Sequence, residues 1–190
     1  MRLSKARIEP LGDEVISPEL AAYLRQRAAS PLILAIHRTL AHDPATMDAF
    51  LAWGGHILSR DNGLPPRQRE MVILRTGFLC KSGYEWAQHI RMGAREGLTE
   101  PEIAAIKIGA DDPIWSDADR ALLRMTDELH TDQFISDGVW TQLKAHFDTR
   151  AIFIAIMAAG QYTTVSMFLN SVGVQLDEGQ VLDPDLADLP

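Results

Sequence analysis

The sequence predicts an all-α fold, a single domain spanning residues 1–190 with about eight helices. Three observations lead there. No run alternates apolar and polar residues with period two over more than a few positions, so the signature of a half-buried strand is missing. Proline, glycine and capping residues recur at intervals suited to helices of ordinary length. The longest uncharged stretch, Ala151 to Leu176, reads as one long buried helix.

Taken in order, Pro18 to about Ala29 and Pro31 to about His42 form two short helices, and Asp43-Pro44 caps and opens a longer one ending near Ser59. Asp61-Asn62-Gly63 is a turn. Pro65 opens a helix to about Cys80, and a second follows from about Ser82 to Glu96, where Gly97 supplies the left-handed residue that ends helices. Thr99 with Glu102 makes a capping box for the next. Ser116 with Asp119 caps a helix to about His130, Ser136 or Asp137 starts another, and Asp148 starts the uncharged one.

That last stretch is long enough to span a bilayer. Nine of its 26 residues are Gly, Gln, Thr, Ser or Asn, however, which favours burial inside protein. The opening MRLSKARIEPLGDEV has no apolar run behind its basic residues, so it reads as neither a signal peptide nor an anchor. A cytoplasmic location is expected.

With 18 Lys+Arg against 26 Asp+Glu, the net charge of −8 disfavours nucleic acid and anionic membranes as partners. Five of the acids lie in the tail 177–190, leaving −3 for residues 1–176; this tail is expected to lie over the surface or to be mobile. The one cysteine, Cys80, excludes an intrachain disulfide, a CxxC pair and a multi-cysteine zinc site, and suits a reducing compartment.

On the Pro65–Cys80 helix, Glu70 has Ile73, Leu74 and Gly77 as near neighbours, an apolar setting in which a carboxylate needs a partner or a task. Arg67, three residues earlier, is the structural partner on offer. On the next helix Glu85 and His89 are stacked one turn apart. A carboxylate that accepts from one imidazole nitrogen fixes the tautomer and leaves the other nitrogen to move a proton. Glu70, Glu85 and His89 are also competent metal ligands, but no HExxH or paired ExxH motif is present and no metal is expected. Walker, GxSxG and Rossmann signatures are missing, so no cofactor is expected.

The segment 64–106, with its R-x-R-E helix start, the Tyr84-Glu85-Trp86-x-x-His89 cluster and the Gly97-Leu98-Thr99-x-x-Glu102-Ile103 boundary, resembles the core of the carboxymuconolactone decarboxylase-like family, which includes the alkylhydroperoxidase D proteins. The resemblance extends over about residues 32–176, from His42-Asp43-Pro44 to Gly160-Gln161-Tyr162-Thr163 and Asn170. In the alkylhydroperoxidase D branch the working set is a glutamate, a CxxC pair and a histidine. Glu70 and His89 fall on that glutamate and histidine, while Ser82 and Glu85 stand where the cysteines would be. Dithiol peroxidase chemistry cannot run without the second thiol.

The decarboxylase branch implies a lyase that transfers protons on a small organic acid or lactone. His89 is then the acid/base, with Glu85 or Glu70 orienting it. Ser82, Tyr84, Trp86, Arg67 and Arg75 are the candidate substrate-binding residues, the arginines as anchors for a substrate carboxylate. Peroxiredoxin-type peroxide reduction, reduced here to Cys80 alone, is the alternative. A non-enzymatic oligomeric helical module is the second alternative, and it predicts that Glu70, Glu85 and His89 face solvent or bulk core and line no cavity. Relatives of this kind are oligomers, so a homo-oligomer is expected.

Overall fold

A computed structural model describes residues 1–28 and 33–187. Among these, nine α-helices follow one another: α1 (Pro18–Ala28), α2 (Ala35–Leu40), α3 (Pro44–Ile57), α4 (Pro66–Leu79), α5 (Gly83–Arg95), α6 (Glu100–Ile108), α7 (Asp117–Asp132), α8 (Asp137–His146) and α9 (Thr149–Val172), with a 3-10 turn at Pro184–Leu186. No strand occurs among the described residues. The expected end of the first helix at Ala29 and start of the second at Pro31 lie outside them, as does the last tail acid, Asp188.

The capping signals act as read. The Thr99 hydroxyl accepts from the Glu102 amide while the Glu102 carboxylate accepts from the Thr99 amide, and Ser116, Ser136 and Asp148 each accept from an amide three residues on. These bonds satisfy donors that a helix start otherwise leaves orphaned. Gly97 has φ +98°. The uncharged helix is shorter than expected, since Gly173 at φ +78° ends it and the Val174 amide turns back to the Leu169 carbonyl. A Cβ at Gly173 would meet the Lys5 carbonyl oxygen at 2.8 Å, because the N-terminal segment crosses there.

Helix α4 is the central element, with α5, α6, α7 and α9 packed around it. Nine consecutive residues, Arg69 to Gly77, are buried, so this helix has no solvent face. Its Val72 and Ile73 join Leu122 and Met125 of α7 and Ile152, Ala155 and Ala158 of α9 in one core; Met71 and Leu74 join Trp86, Ile106 and Leu123 in a second. Helix α9 is long and apolar enough to cross a membrane by length and composition, yet 56% of its most apolar window is buried in this fold.

The acidic tail is a strap pinned to the helices. Asp177 accepts from the Ala35 amide at 2.8 Å, from the Tyr84 hydroxyl at 2.7 Å and from the Gln88 amide. Asp183 accepts from the Trp86 indole at 3.0 Å and from Lys107 at 2.7 Å, and Leu186 is buried in the second core. Acids that composition alone assigns to a solvated tail thus find specific donors on α5 and α6.

Candidate active site

The turn between α4 and α5 sets the geometry of the site. Cys80 caps α4, Lys81 takes the left-handed conformation at φ +55°, the Lys81 amide donates to Phe78 and the Ser82 amide donates to Gly77. This closure reverses the chain at once, so α5 returns antiparallel along α4. Two glycines let the helices approach closely. A Cβ on Gly77 would lie 3.2 Å from Glu85 Cγ, and one on Gly93 would lie 3.3 Å from Leu74 Cδ1 and 3.7 Å from Glu70 Cβ.

Glu70, Glu85 and His89 meet in that seam. His89 Nδ1 donates to Glu70 Oε2 at 2.7 Å, and His89 Nε2 lies 2.9 Å from Glu85 Oε1. The second contact has ion-pair distance but lies off the N–H axis, so Glu85 Oε1 receives no well-directed hydrogen bond. Arg69 Nε reaches the other oxygen of Glu70 at 3.4 Å and its Nη1 donates to the Ser59 carbonyl at 3.2 Å. Tyr162 of α9 sets its ring edge-on to the imidazole, centroids 5.0 Å apart. Glu70 is 0% exposed, Glu85 4% and His89 6%.

Four charged groups buried together are tolerable because the two carboxylates, the imidazolium and the guanidinium sum to zero. Burial by itself would push His89 toward the neutral ring; Glu85 and Glu70 outweigh it and lift its pKa to about 10. The resting imidazole is therefore a cation, with Nδ1–H bonded to Glu70 and Nε2 at ion-pair distance from Glu85. Burial, then Glu85 and Glu70, push the Tyr162 phenol well above its usual range, which keeps its proton in place. With a carboxylate at each end of the ring, the two acids are held on opposite sides of the imidazole and do not converge on a common point. This is an arrangement for holding a proton; a cation site needs donors that converge.

The sequence-predicted site residues divide in two. Glu70, Glu85 and His89 come together, all three buried in the seam between α4 and α5. Arg67 is corrected: it pairs with Glu102 and, at 3.0 Å, with Asp119, and the partner of Glu70 is Arg69. Arg75 likewise pairs with Asp127 at 2.6 Å and donates to the carbonyls of Ile106 and Lys107 at 2.8 Å. Tyr84 and Trp86 direct their polar atoms to the tail acids Asp177 and Asp183. Ser82 is the residue before α5, fully buried, and its hydroxyl has no protein partner. Arg69 and Tyr162 were missed as site residues. Arg69 stands in the R-x-R-E start, one residue from Glu70, but spacing alone favoured Arg67 at i−3.

Residues 44–128 match the carboxymuconolactone decarboxylase family. No curated protein matches the chain. Among solved structures, a protein of unknown function from Agrobacterium tumefaciens, described as a candidate antioxidant defence protein AhpD, aligns with TM-score 0.68 and 21% identity over 73% of this chain and 94% of its own. The debrominase Bmp8, as a cysteine-to-alanine variant in complex with 2,3,4-tribromopyrrole, aligns with TM-score 0.76 and 13% identity over 92% and 94%. An uncharacterized peroxidase-related protein from Silicibacter sp. TM1040 aligns with TM-score 0.77 and 13% identity over 93% and 95%. At these identities the likeness is one of fold.

Proposed function

We propose, from the match of residues 44–128 to the carboxymuconolactone decarboxylase family, that the chain is a cofactor-independent enzyme that moves protons on a small organic acid or lactone, with decarboxylation as the reaction. The supporting observation is the buried line Glu70–His89–Glu85, with His89 charged at rest and Nδ1 tied to Glu70 at 2.7 Å. Loss of CO2 breaks the C–C bond to the carboxylate and leaves its electron pair on the substrate, where a conjugated lactone carbonyl takes it up. His89 Nε2–H then donates the proton that completes the product, and Glu70 holds the ring in the orientation that presents it. Glu85, whose contact to Nε2 is the poorly directed one, is the acid that substrate displaces. The lone cysteine suits a reducing cytoplasm, where we place the protein.

The test is turnover of carboxymuconolactone itself by the full chain, followed as CO2 release. The His89→Gln variant is expected to lose about 10²- to 10⁴-fold in kcat, the usual worth of a positioned acid or base. A folded His89→Gln chain that releases CO2 at the original rate sinks the proposal. Consumption of a hydroperoxide with an external thiol, abolished by Cys80→Ser, would replace it with single-thiol peroxide reduction.

We further propose a homo-oligomer that uses the outer face of α9. Phe153 and Met157, one turn apart there, are 58% and 48% exposed. Large apolar groups at such spacing suit a partner helix of the same kind. Light scattering of the Phe153→Glu/Met157→Glu double variant is expected to give a smaller particle; an unchanged mass removes this face from the assembly.

A further inference from the structure

Four buried polar groups along the seam between α5 and α9 have no hydrogen-bond partner, and the register of the two helices sets them face to face. On the α5 side, Ser82, Glu85 and His89 share one face at i, i+3 and i+7. On the α9 side, Tyr162 meets the His89 ring with centroids 5.0 Å apart, and two turns later the Asn170 side-chain amide donates to the Cys80 carbonyl at 2.9 Å. The helices therefore run antiparallel, and Ser166, one turn beyond Tyr162, comes level with Glu85, one turn before His89. The same register brings Tyr84 into one core with Val165 and Leu169.

Ser82 and Ser166 are fully buried and neither hydroxyl has a partner, and Glu85 Oε1, buried with them, accepts no directed bond. The Tyr162 hydroxyl, on a residue only 5% exposed, donates to no acceptor among the described residues. Such a group gives up its bonds to water for nothing in return, a cost that Phe or Ala at the same position would avoid. Hydroxyl donors and a carboxylate acceptor that share a seam without bonding to one another leave the bridge to a third molecule. Burial, then Glu85 and Glu70, keep the Tyr162 proton in place, so the α9 side offers neutral O–H donors opposite a cationic imidazole.

On the proton-transfer reading of the site, on which this inference rests, we infer that the Tyr162 and Ser166 hydroxyls are the donors for the substrate oxygen on which negative charge develops. The substrate is then a conjugated lactone or ketone acid, held with its carbonyl oxygen toward α9 and the carbon to be protonated toward His89. The C–C bond to the carboxylate breaks, CO2 leaves, and the electron pair moves through the conjugated system onto the carbonyl oxygen. Tyr162 and Ser166 hold that oxygen by hydrogen bonds and keep their own protons. The pair returns to carbon as His89 Nε2–H delivers its proton, and His89 recovers one from solvent, so one proton enters for each CO2 released. Donors aimed at an oxygen that turns negative bind the transition state more strongly than the ground state, which is what raises a rate.

Tyr162→Phe and Ser166→Ala each remove a hydroxyl that no protein group uses, so both full-length variants are expected to unfold in urea at or above the parent midpoint. With carboxymuconolactone as substrate, each should lower kcat by about 10²- to 10³-fold, the usual worth of one such donor, and leave KM within about threefold. A second readout needs no turnover. The full chain is titrated with 4-nitrophenol, whose conjugated anion resembles the intermediate, and is expected to hold it as the yellow phenolate to a pH about one unit lower than in buffer, a tenfold preference for the anion. Tyr162→Phe should lose at least half of that shift. A parent chain that releases no CO2 yet holds the phenolate through Tyr162 rejects decarboxylation and supports the donors. A parent chain with no phenolate shift overturns the inference. So does a Tyr162→Phe chain that keeps the full shift, or one that keeps the parent kcat while its urea midpoint falls, because the hydroxyl then serves only the fold.

Discussion

Gly77 of α4 lies against Glu85 of α5, so near that a methyl group on Gly77 would stand 3.2 Å from Glu85 Cγ. The missing side chain is what lets Glu85 lie flat between the helices with Oε1 at 2.9 Å from His89 Nε2. Gly77→Ala would therefore displace Glu85 by a few tenths of an ångström, against a helix-propensity gain of about 1 kcal/mol. The expected result is a chain of near-normal stability in which the His89 pKa falls below about 10, read from the imidazole resonances on titration. An unmoved pKa would show that Glu85 has room to spare.

His89 also fixes how stability depends on pH. Its folded pKa of about 10 lies above the value of roughly 6.5 for an unfolded histidine, so between those limits the folded chain holds the proton that the unfolded chain has released. The contribution is complete below about pH 6.5 and is lost as pH rises through about 10, at on the order of 1 kcal/mol per pH unit. Urea unfolding at several pH values should show this decline. In His89→Gln the slope should vanish, and overall stability should fall by about 3–5 kcal/mol because two buried carboxylates lose their shared cation.

Asp177 closes the tail strap, and its removal has a local cost. Asp177→Ala leaves the buried Tyr84 hydroxyl and the Ala35 amide without their acceptor. Stability is expected to drop by about 1–3 kcal/mol, with earlier proteolysis of residues beyond Leu176. Burial, followed by Asp177, pushes the Tyr84 phenol far above its ordinary range, so its absorbance should titrate only when the chain unfolds, and at a lower pH in Asp177→Ala than in the parent chain.

Thr99→Ala tests a feature read from sequence before any geometry. It removes the hydroxyl that accepts from the Glu102 amide and leaves the Glu102 carboxylate only the residue-99 amide and Arg67. A loss of about 1 kcal/mol in thermal or urea unfolding is expected; no loss would mean that water replaces the cap at no cost.

Such local signals were legible because they act over a few residues. The capping box at Thr99, the left-handed Gly97 and the Ser116 and Asp148 caps are each decided within one helical turn. The i,i+4 spacing of Glu85 and His89 was legible for the same reason, and Glu70 stood out as a carboxylate among apolar neighbours. The arginines were misread because a helix offers several near neighbours at similar cost, so Arg67 was free to reach α6 and α7 once those helices were in place.

The sequence by itself determined the all-α class, the helix boundaries to within a few residues, the single thiol and the identity of the three central ionisable residues. Only the tertiary structure decided that His89 lies between two acids, that Arg69 completes their charge balance, that the acidic tail is a strap and that His130 faces Cys80 across fifty positions of sequence. The physical reason is the reach of the forces. Caps and helical spacing are settled by backbone geometry, whereas charge pairing in a buried seam depends on how closely α4 and α5 approach, and two glycines with one left-handed lysine set that distance.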